Sequence, residues 1–134
     1  VIFTTHDLSD AFYTSDKILV LENGNMIQFD EIENVRKFPK NEYAARLFGY
    51  VNVLRSEESK KLSIHTTTSV VIYPEEIKIS TNGNFSGKVI ETKFQGRDYL
   101  INFSYQDLEL YAYFDAKLEK GTNINFDLKS YSVI

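Results

Sequence analysis

His6 directly follows the apolar run Val1–Thr4, and it is the first residue of the chain whose position suits chemistry. The run is β-branched and aromatic, which predicts a strand buried on both faces. Asp7 is a favourable N-cap for a helix that begins next. A strand, then a histidine, then a helix is the arrangement of a site at the carboxyl edge of an α/β sheet. His6 is therefore a candidate ligand-binding residue.

Ser86-Gly87-Lys88 is a second candidate, in which backbone N–H groups and a lysine ammonium could contact an anion. The signal is weak, because Gly-Lys is common at the start of a strand. His65 stands in no such context, and we interpret it as a structural residue. The chain has no cysteine, which excludes disulfides and thiolate metal sites, and we predict no metal site.

Composition limits the class of protein. The chain has 134 residues, of which 43% are hydrophobic and 25% charged, and this is typical of one globular domain or two small ones. Its net charge of −4 argues against a general nucleic-acid binder, which normally presents a basic face. No apolar run reaches the roughly 18 residues of a membrane span. There is no signal-peptide pattern and no initiating Met, so we expect a piece of a longer protein.

The first half of the chain predicts short helices and strands. A helix is expected after Asp7, and the strands Lys17–Leu21 and Met26–Phe29 are expected to pair. Asn23-Gly24 between them is a strong hairpin signal, because a type I′ turn needs positive φ at both central residues.

Two short helices are expected to follow the hairpin. Glu31–Lys37 begins with acidic residues and ends with basic ones, which suits the helix dipole. Glu42–Phe48 has Asn41 as a candidate N-cap and Gly49 as a candidate C-cap.

The composition changes after Leu54. We interpret the charged stretch Arg55–Lys61 as a turn or linker, and short runs of alternating apolar and polar residues follow it. The clearest predicted strands are Tyr99–Tyr105, Leu108–Phe114 and Ile124–Leu128. Turn signals lie at Asn82-Gly83, Gln95-Gly96 and Lys120-Gly121. This pattern predicts a small barrel or sandwich.

Tyrosines are frequent in the predicted strands. Tyr111 and Tyr113 share one face of their strand, and Tyr105 lies on the strand before it. They fit an exposed packing surface and the interior of a compact barrel equally well.

The stretch TTHDLSDAFYTSDKILVLENGNMIQFDEI resembles the end of the nucleotide-binding domain of ABC transporter ATPases. Thr5-His6-Asp7 matches the switch motif, or H-loop, and Ser15–Ile18 with Asn23-Gly24 matches the strand pair after it. FPKNEYAARLFGYVNVL is similar to the segment that follows in import-type members. Its matching positions are Pro39, Asn41, Ala45, Phe48, Gly49 and Asn52.

IYPEEIKIS resembles the R-P-E-x-I entry to the transport-associated OB (TOBE) domain. Tyr73 stands where the family usually has Arg, a departure that would alter an inter-domain contact. Asp30-Glu31-Ile32 stands where a Gly-Thr-Pro turn is common. The resemblance covers nearly the whole chain, and its motifs are more specific in the first half than in the barrel half.

The resemblance implies an α+β chain of two domains. Residues 1–54 would be the C-terminal remnant of an ABC nucleotide-binding domain, a truncated α/β end. Residues 55–134 would be a small all-β, OB-like TOBE barrel.

The resemblance also implies a role for His6. In the family this histidine hydrogen-bonds the ATP γ-phosphate, so we assign His6 as a nucleotide-binding and catalytic residue of the parent protein. A ring N–H suits the charge that develops in phosphoryl transfer. The sequence contains no phosphate loop, Walker B strand or signature loop. We therefore expect ATP and Mg²⁺ as cofactors of the parent, and no cofactor or activity for the fragment alone.

The resemblance implies the C-terminal part of the ATPase subunit of an ABC importer, which couples ATP hydrolysis to solute uptake. The fragment itself would serve dimerisation and regulation. The expected partners are a second copy, contacted through ATPase and TOBE domains, the transmembrane permease subunits and a solute-binding protein, with no nucleic acid. The expected location is cytoplasmic, peripheral on the inner face of the plasma membrane through the permease.

Two other functions stay open. One is an oxyanion-binding sensor of the molybdate type, for which Ser86-Gly87-Lys88 would supply the anion contact. The other is an OB-fold binder of oligonucleotides, against which the acidic composition argues. Within the importer hypothesis, polyamine, iron, oxyanion and sugar transporters share these tail features, so the solute is not predicted.

Overall fold

The computed structural model describes Ile2, Thr4, Thr5 and every residue from Leu8 to Ile134. The predicted strand at residues 1–4 falls partly outside these residues, and Ile2 and Thr4 have no regular secondary structure. His6 and Asp7 also lie outside the described residues. The chain divides into two compact units, one ending at Gly49 and one spanning Tyr50–Val133.

The described part of the first unit contains three short helices and one antiparallel hairpin. Its elements are α1 (Leu8–Thr14), β1 (Lys17–Glu22), β2 (Asn25–Glu31), α2 (Ile32–Lys37) and α3 (Glu42–Arg46). Asn23 and Gly24 have φ of 51° and 78°, which confirms the predicted turn. Leu19 pairs with Phe29 and Leu21 with Met26 across the hairpin.

The third helix of the first unit begins where its residue types predict and ends earlier than predicted. Asn41 Oδ1 accepts a hydrogen bond of 2.9 Å from the Ala44 N–H, which confirms Asn41 as the N-cap of α3. The prediction of Gly49 as its C-cap is wrong, because α3 ends at Arg46 with Leu47 as the cap. Gly49 lies two residues further on, with φ of 94°. Among the described residues, Val20, Val35 and Ala44 form a buried cluster in this unit.

The second unit is mainly antiparallel β-sheet. Its helices are α4 (Ser56–Ser59) and two 3₁₀ turns, Lys60–Leu62 and Pro74–Glu76. Its strands are β3 (Asn52–Leu54), β4 (Val70–Ile72), β5 (Ile77–Ile79), β6 (Phe85–Phe94), β7 (Tyr99–Tyr105), β8 (Leu108–Phe114), β9 (Asn123–Leu128) and β10 (Ser132–Val133). The three clearest strands predicted from the alternating pattern are confirmed as β7, β8 and β9.

The strands form a three-stranded sheet in the order β10-β4-β3 and a five-stranded sheet in the order β5-β9-β6-β7-β8. The edge strands β5 and β8 approach each other, so the larger sheet curls into a half-barrel. Its concave side holds the core, where Ile101, Phe103, Leu110 and Phe126 are fully buried. This mostly antiparallel architecture is consistent with an OB-like domain.

The prediction of a turn or linker at Arg55–Lys61 is wrong. This stretch forms α4 and the beginning of a 3₁₀ turn because its polar side chains bond locally. Glu58 Oε1 accepts from the Arg55 N–H at 3.0 Å. The buried Ser59 hydroxyl lies 3.0 Å from the Ser56 carbonyl and 3.2 Å from that of Ile64.

Candidate functional site

Ser86, Gly87 and Lys88 line one open cleft of about 460 Å³ on the second unit. β6 carries these three residues, and the strands on either side complete the lining. The remaining lining residues are Ser104, Tyr105, Gln106, Asn123 and Asn125. The lining side chains carry hydroxyl, amide and ammonium groups, which suit a small polar or anionic ligand.

Hydrogen bonds within the cleft occupy most of its hydroxyl groups. The Ser86 hydroxyl lies 2.8 Å from Asn125 Oδ1, and the Ser104 hydroxyl lies 3.4 Å from the Lys88 carbonyl. Lys88 is exposed. Among the described residues, its ammonium group has no ion-pair partner. The Lys88 ammonium group is therefore the positively charged group in the cleft that is available to bind an anion.

The backbone of Ser86-Gly87-Lys88 is part of the sheet. Gly87 pairs with Ile124, and its two neighbours pair with further residues of β9. A Cβ on Gly87 would lie 2.8 Å from the Ser104 carbonyl oxygen and 2.9 Å from the Phe103 ring. Close packing therefore explains the glycine without a ligand, and side chains are the groups most available for binding.

The tyrosines are divided between two faces of the larger sheet. Tyr105 lies on the core side, 8% exposed, and its hydroxyl donates to the Lys61 carbonyl at 2.8 Å. Tyr111 and Tyr113 are half-buried on the opposite face. Tyr105 therefore belongs to the barrel interior, whereas Tyr111 and Tyr113 belong to the outer face of the sheet. The sequence alone left both locations open for all three tyrosines.

Tyr50 forms an aromatic cluster with Tyr111, since their ring centroids lie 5.1 Å apart. The Lys93 ammonium lies 5.9 Å from the centroid of the Tyr50 ring. A hydrogen bond with Tyr50, followed by the charges of Tyr50 and Glu91, raises the pKa of Lys93. Tyr50 and Tyr111 are distant in sequence, so no local pattern could predict this cluster.

Asn52 connects the two sheets of the second unit. Its side chain is buried, and its Nδ2 donates to the carbonyls of Ile72 and Tyr111 at 3.0 and 2.9 Å. The Tyr111 N–H donates to Asn52 Oδ1 at 2.7 Å. The asparagine thus replaces a neighbouring strand at the edge of β8. The sequence drew attention to Asn52 only through the family resemblance.

Tyr73, the departure from the family's usual Arg, is 3% exposed. Its N–H donates to Glu76 Oε1 at 2.9 Å, and the Glu76 N–H donates to the Tyr73 carbonyl at the same distance. The aromatic ring therefore contributes to the interior of the second unit, where a charged guanidinium would need a partner.

The assignment of His6 as a switch residue stays a prediction, because His6 lies outside the described residues. In the described part of the chain, no group of three His, Cys, Asp or Glu side chains could hold a metal ion. Within the same residues, no helix is both long and apolar enough to cross a membrane.

Comparisons with known proteins identify relatives of the chain. It is 31% identical to the spermidine/putrescine import ATP-binding protein PotA of Mesomycoplasma hyopneumoniae, over 79% of the chain and 28% of that protein. PotA of Clostridium acetobutylicum is 30% identical over 95% of the chain and 41% of its own length. The Fe(3+) ions import ATP-binding protein FbpC of Photorhabdus laumondii is 25% identical over 96% of the chain and 42% of its own length. No family model matches the chain.

The chain is homologous to the ATP-binding proteins of import-type ABC transporters, and the resemblance predicted from the sequence is confirmed. It spans less than half the length of these relatives.

Proposed function

We propose that the chain is the C-terminal part of the ATPase subunit of an ABC importer. The observation that carries this proposal is the match of 79–96% of the chain to import ATP-binding proteins that are more than twice as long. Residues 1–54 are then the end of the nucleotide-binding domain, and residues 55–134 are the TOBE domain. The curled antiparallel sheet supports an OB-like assignment for the second part.

His6 is the residue that we propose for the chemistry of the parent protein. A histidine N–H can stabilise negative charge on the transferred phosphoryl group and help hold the attacking water in line. ATP and Mg²⁺ would be held mainly by residues outside this chain, because its sequence contains no phosphate loop. The chain alone is then inactive, and its own contribution is dimerisation and regulation of the transporter.

The test is His6→Ala in the complete protein encoded by the source gene. We expect ATP to bind while the hydrolysis rate falls at least 100-fold, since the substitution removes a group that acts in the transition state. His65→Ala is the matched control and should hydrolyse ATP at the normal rate. A His6→Ala protein with normal turnover, or a gene that encodes no phosphate loop, would refute the proposal.

The names of the relatives suggest the solute of the parent transporter. PotA proteins are named for spermidine and putrescine and FbpC for ferric iron, so we propose a cationic solute with polyamines as the first candidate. Deletion of the source gene should abolish uptake of radiolabelled putrescine and leave uptake of ferric iron unchanged. The reverse result would identify ferric iron as the solute of the parent transporter.

We propose that the parent is cytoplasmic and attached to the membrane through permease subunits, together with a solute-binding protein. It should sediment with membranes when the permease is co-expressed and stay in the supernatant without it. Sedimentation that is independent of the permease would contradict this assembly.

The cleft around Lys88 supports a second candidate function, which is oxyanion binding. Calorimetry with molybdate, tungstate and sulfate tests it directly on the intact chain. If the cleft is the site, Lys88→Gln should weaken binding at least tenfold, while Lys117→Gln, at another exposed lysine, should have no effect. An absence of heat with all three anions would exclude this function.

A further inference from the structure

The outer face of the five-stranded sheet carries aromatic and polar side chains that the proposed function does not use. We define the outer tyrosine site as Tyr50, Glu91, Lys93, Asn102 and Tyr111. Asn102 lies opposite Glu91 on β6 and opposite Tyr111 on β8, so these three side chains share one face. The Tyr50 ring centroid lies 5.1 Å from that of Tyr111 and 5.9 Å from the Lys93 ammonium. The five residues therefore lie side by side on one surface.

Asn102 is the member of this site that the fold does not explain. Its Oδ1 is buried and has no hydrogen-bond partner among the described residues. Asn52, by contrast, uses its amide in three hydrogen bonds. A buried acceptor without a partner costs free energy, so an apolar side chain of the same size would suit the sheet better. The χ2 torsion of asparagine is soft, and a rotation of the half-buried Asn102 side chain presents this oxygen to a ligand.

The two tyrosines supply an aromatic surface next to Asn102. Tyr50 is 42% exposed and Tyr111 is half-buried, so both rings are accessible. Leu100 pairs with Lys93 on the same face and is only 2% exposed, so it provides an apolar floor beneath the exposed groups. Aromatic rings beside a few polar groups are the usual composition of a small-ligand site.

The charges of the outer tyrosine site are balanced. A hydrogen bond with Tyr50, followed by the charges of Tyr50 and Glu91, raises the pKa of Lys93. A phosphate-bearing ligand would meet the Glu91 carboxylate and a chain of net charge −4. A cationic ligand would have to displace the Lys93 ammonium from the Tyr50 ring. A neutral ligand with hydroxyl groups therefore fits this site best.

The edge of the sheet argues against an extended peptide as the ligand. A peptide that adds a strand needs the free backbone groups of an edge strand. At the β8 edge, the Asn52 amide already bonds the N–H and the carbonyl of Tyr111. Recognition at this site therefore depends on side chains.

An oligosaccharide matches these requirements. Its pyranose rings have apolar C–H faces that pack on aromatic rings, and its hydroxyls bond to amide, carboxylate and ammonium groups. OB folds bind oligosaccharides on a face of their sheet. We propose that the outer tyrosine site binds a neutral oligosaccharide, with a sugar ring on Tyr50 and Tyr111 and hydroxyls bonded to Asn102, Glu91 and Lys93. None of these five residues lines the cleft around Lys88, so this is a separate site.

The experiment measures binding of maltotriose, cellotriose and triacetylchitotriose to the intact chain by calorimetry. The first test variant is Asn102→Leu, which removes the amide and keeps the size of the side chain. The second is Tyr50→Ser, and its matched control is Tyr131→Ser, since Tyr131 is 46% exposed in the same unit. Thermal unfolding of each variant measures its stability, and a ten-residue oligothymidylate tests for a nucleic-acid ligand.

We expect the wild-type chain to bind at least one of the trisaccharides. Asn102→Leu and Tyr50→Ser should each bind it at least tenfold more weakly, and Tyr131→Ser should bind it normally. Asn102→Leu should unfold at the wild-type temperature or above, because it removes an unpaired buried acceptor.

Three results would overturn the proposal. In the first, none of the trisaccharides binds the wild-type chain, or both test variants bind as the wild type does. In the second, Asn102→Leu unfolds at a lower temperature, which would assign the amide a structural role. In the third, the oligothymidylate binds in place of the trisaccharides and Tyr50→Ser weakens that binding, which would make the site a nucleic-acid surface.

Discussion

The two units of the chain differ in how much apolar structure they bury. The first has a small cluster formed by Val20, Val35 and Ala44 beside a two-stranded hairpin. The second encloses a core that includes Phe103 and Phe126, both fully buried, between eight strands. A single hairpin is marginally stable on its own, whereas a curled sheet of five strands can form an independent core. Among the described residues, the second unit therefore buries the larger apolar core.

Aromatic packing shows the same difference. In the second unit, Phe126 has ring centroids of Phe85, Phe103 and Tyr105 within 4.9–5.4 Å. In the first, the single ring pair among the described residues joins Phe12 and Phe48 at 5.9 Å, and Phe12 is 49% exposed. A ring with three aromatic neighbours loses far more on truncation than one that remains half in solvent.

The largest effect that tests this comparison is expected for Phe103→Ala. The substitution removes a fully buried ring, and it should lower the free energy of unfolding of the second unit by about 3–5 kcal/mol. Urea titration followed by hydrogen exchange on peptides from residues 50–133 measures it. Phe94→Ala, which truncates an exposed ring, should change the same quantity by less than about 0.5 kcal/mol. Equal losses for the two variants would refute the idea of one tightly packed core.

A smaller effect is expected for Asn52→Ala, since three hydrogen bonds are lost instead of a core ring. The Tyr111 N–H and two carbonyls lose their partner, which should cost about 2–4 kcal/mol. Asn41→Ala, which removes a helix cap from the first unit, should cost about 1 kcal/mol. The two losses can be compared by thermal unfolding. A loss at Asn52 no larger than that at Asn41 would show that the sheets are held together by other contacts.

Glycine substitutions distinguish close packing from backbone conformation. A Cβ on Gly83 would lie 2.3 Å from the Phe126 backbone nitrogen, so Gly83→Ala should cost about 1–3 kcal/mol and Gly83→Asn at least as much. Gly24 of the first unit has open space around it and φ of 78°. Asn tolerates this conformation better than Ala, so Gly24→Asn should cost less than Gly24→Ala. The denaturation midpoints of the four variants measure these effects. If Ala and Asn rank in the same order at Gly83 and Gly24, the proposed difference between close packing and backbone conformation is wrong.

Local patterns predicted the elements whose causes are local. Asn23-Gly24 determines a turn, and Asn41 caps the helix that follows it. Alternation over Tyr99–Tyr105 determines a strand in which Ile101, Phe103 and Tyr105 share a buried face. The turn at Gln106-Asp107 was not identified, because it adopts φ of 45° and 67° without glycine. The helix within Arg55–Lys61 was missed because charge composition does not indicate its local hydrogen bonds, which run from the Arg55 N–H to Glu58 and from the buried Ser59 hydroxyl to the carbonyls of Ser56 and Ile64.

The candidate site was predicted only in part, for a similar reason. Ser86 and Lys88 were identified from their types, but their neighbours Asn123 and Asn125 come from β9, more than thirty residues away. Strand register brings these residues together, and register is set by packing of the whole sheet. The role of His6 was inferred from a motif, so it stays a prediction that no contact in the described chain tests.

The smallest expected effect is a change in the pKa of Asp30 in the first unit. It tests how strongly local hydrogen bonds act in the unit with the smaller buried cluster. The Asn34 amide, which donates to Asp30 Oδ1 at 3.2 Å, and then the Glu31 N–H at 2.7 Å hold the pKa of Asp30 below its usual 3.8. A carboxyl with a lowered folded-state pKa stabilises the unit above pH 3.8, and this stabilisation is lost as the pH falls through the folded-state value. Asn34→Ala should therefore raise the pKa of Asp30 towards 3.8, as measured by carboxyl ¹³C NMR titration. Asn25→Ala should leave it unchanged, and an equal shift in both variants would mean that general disorder, not the hydrogen bond, sets the value.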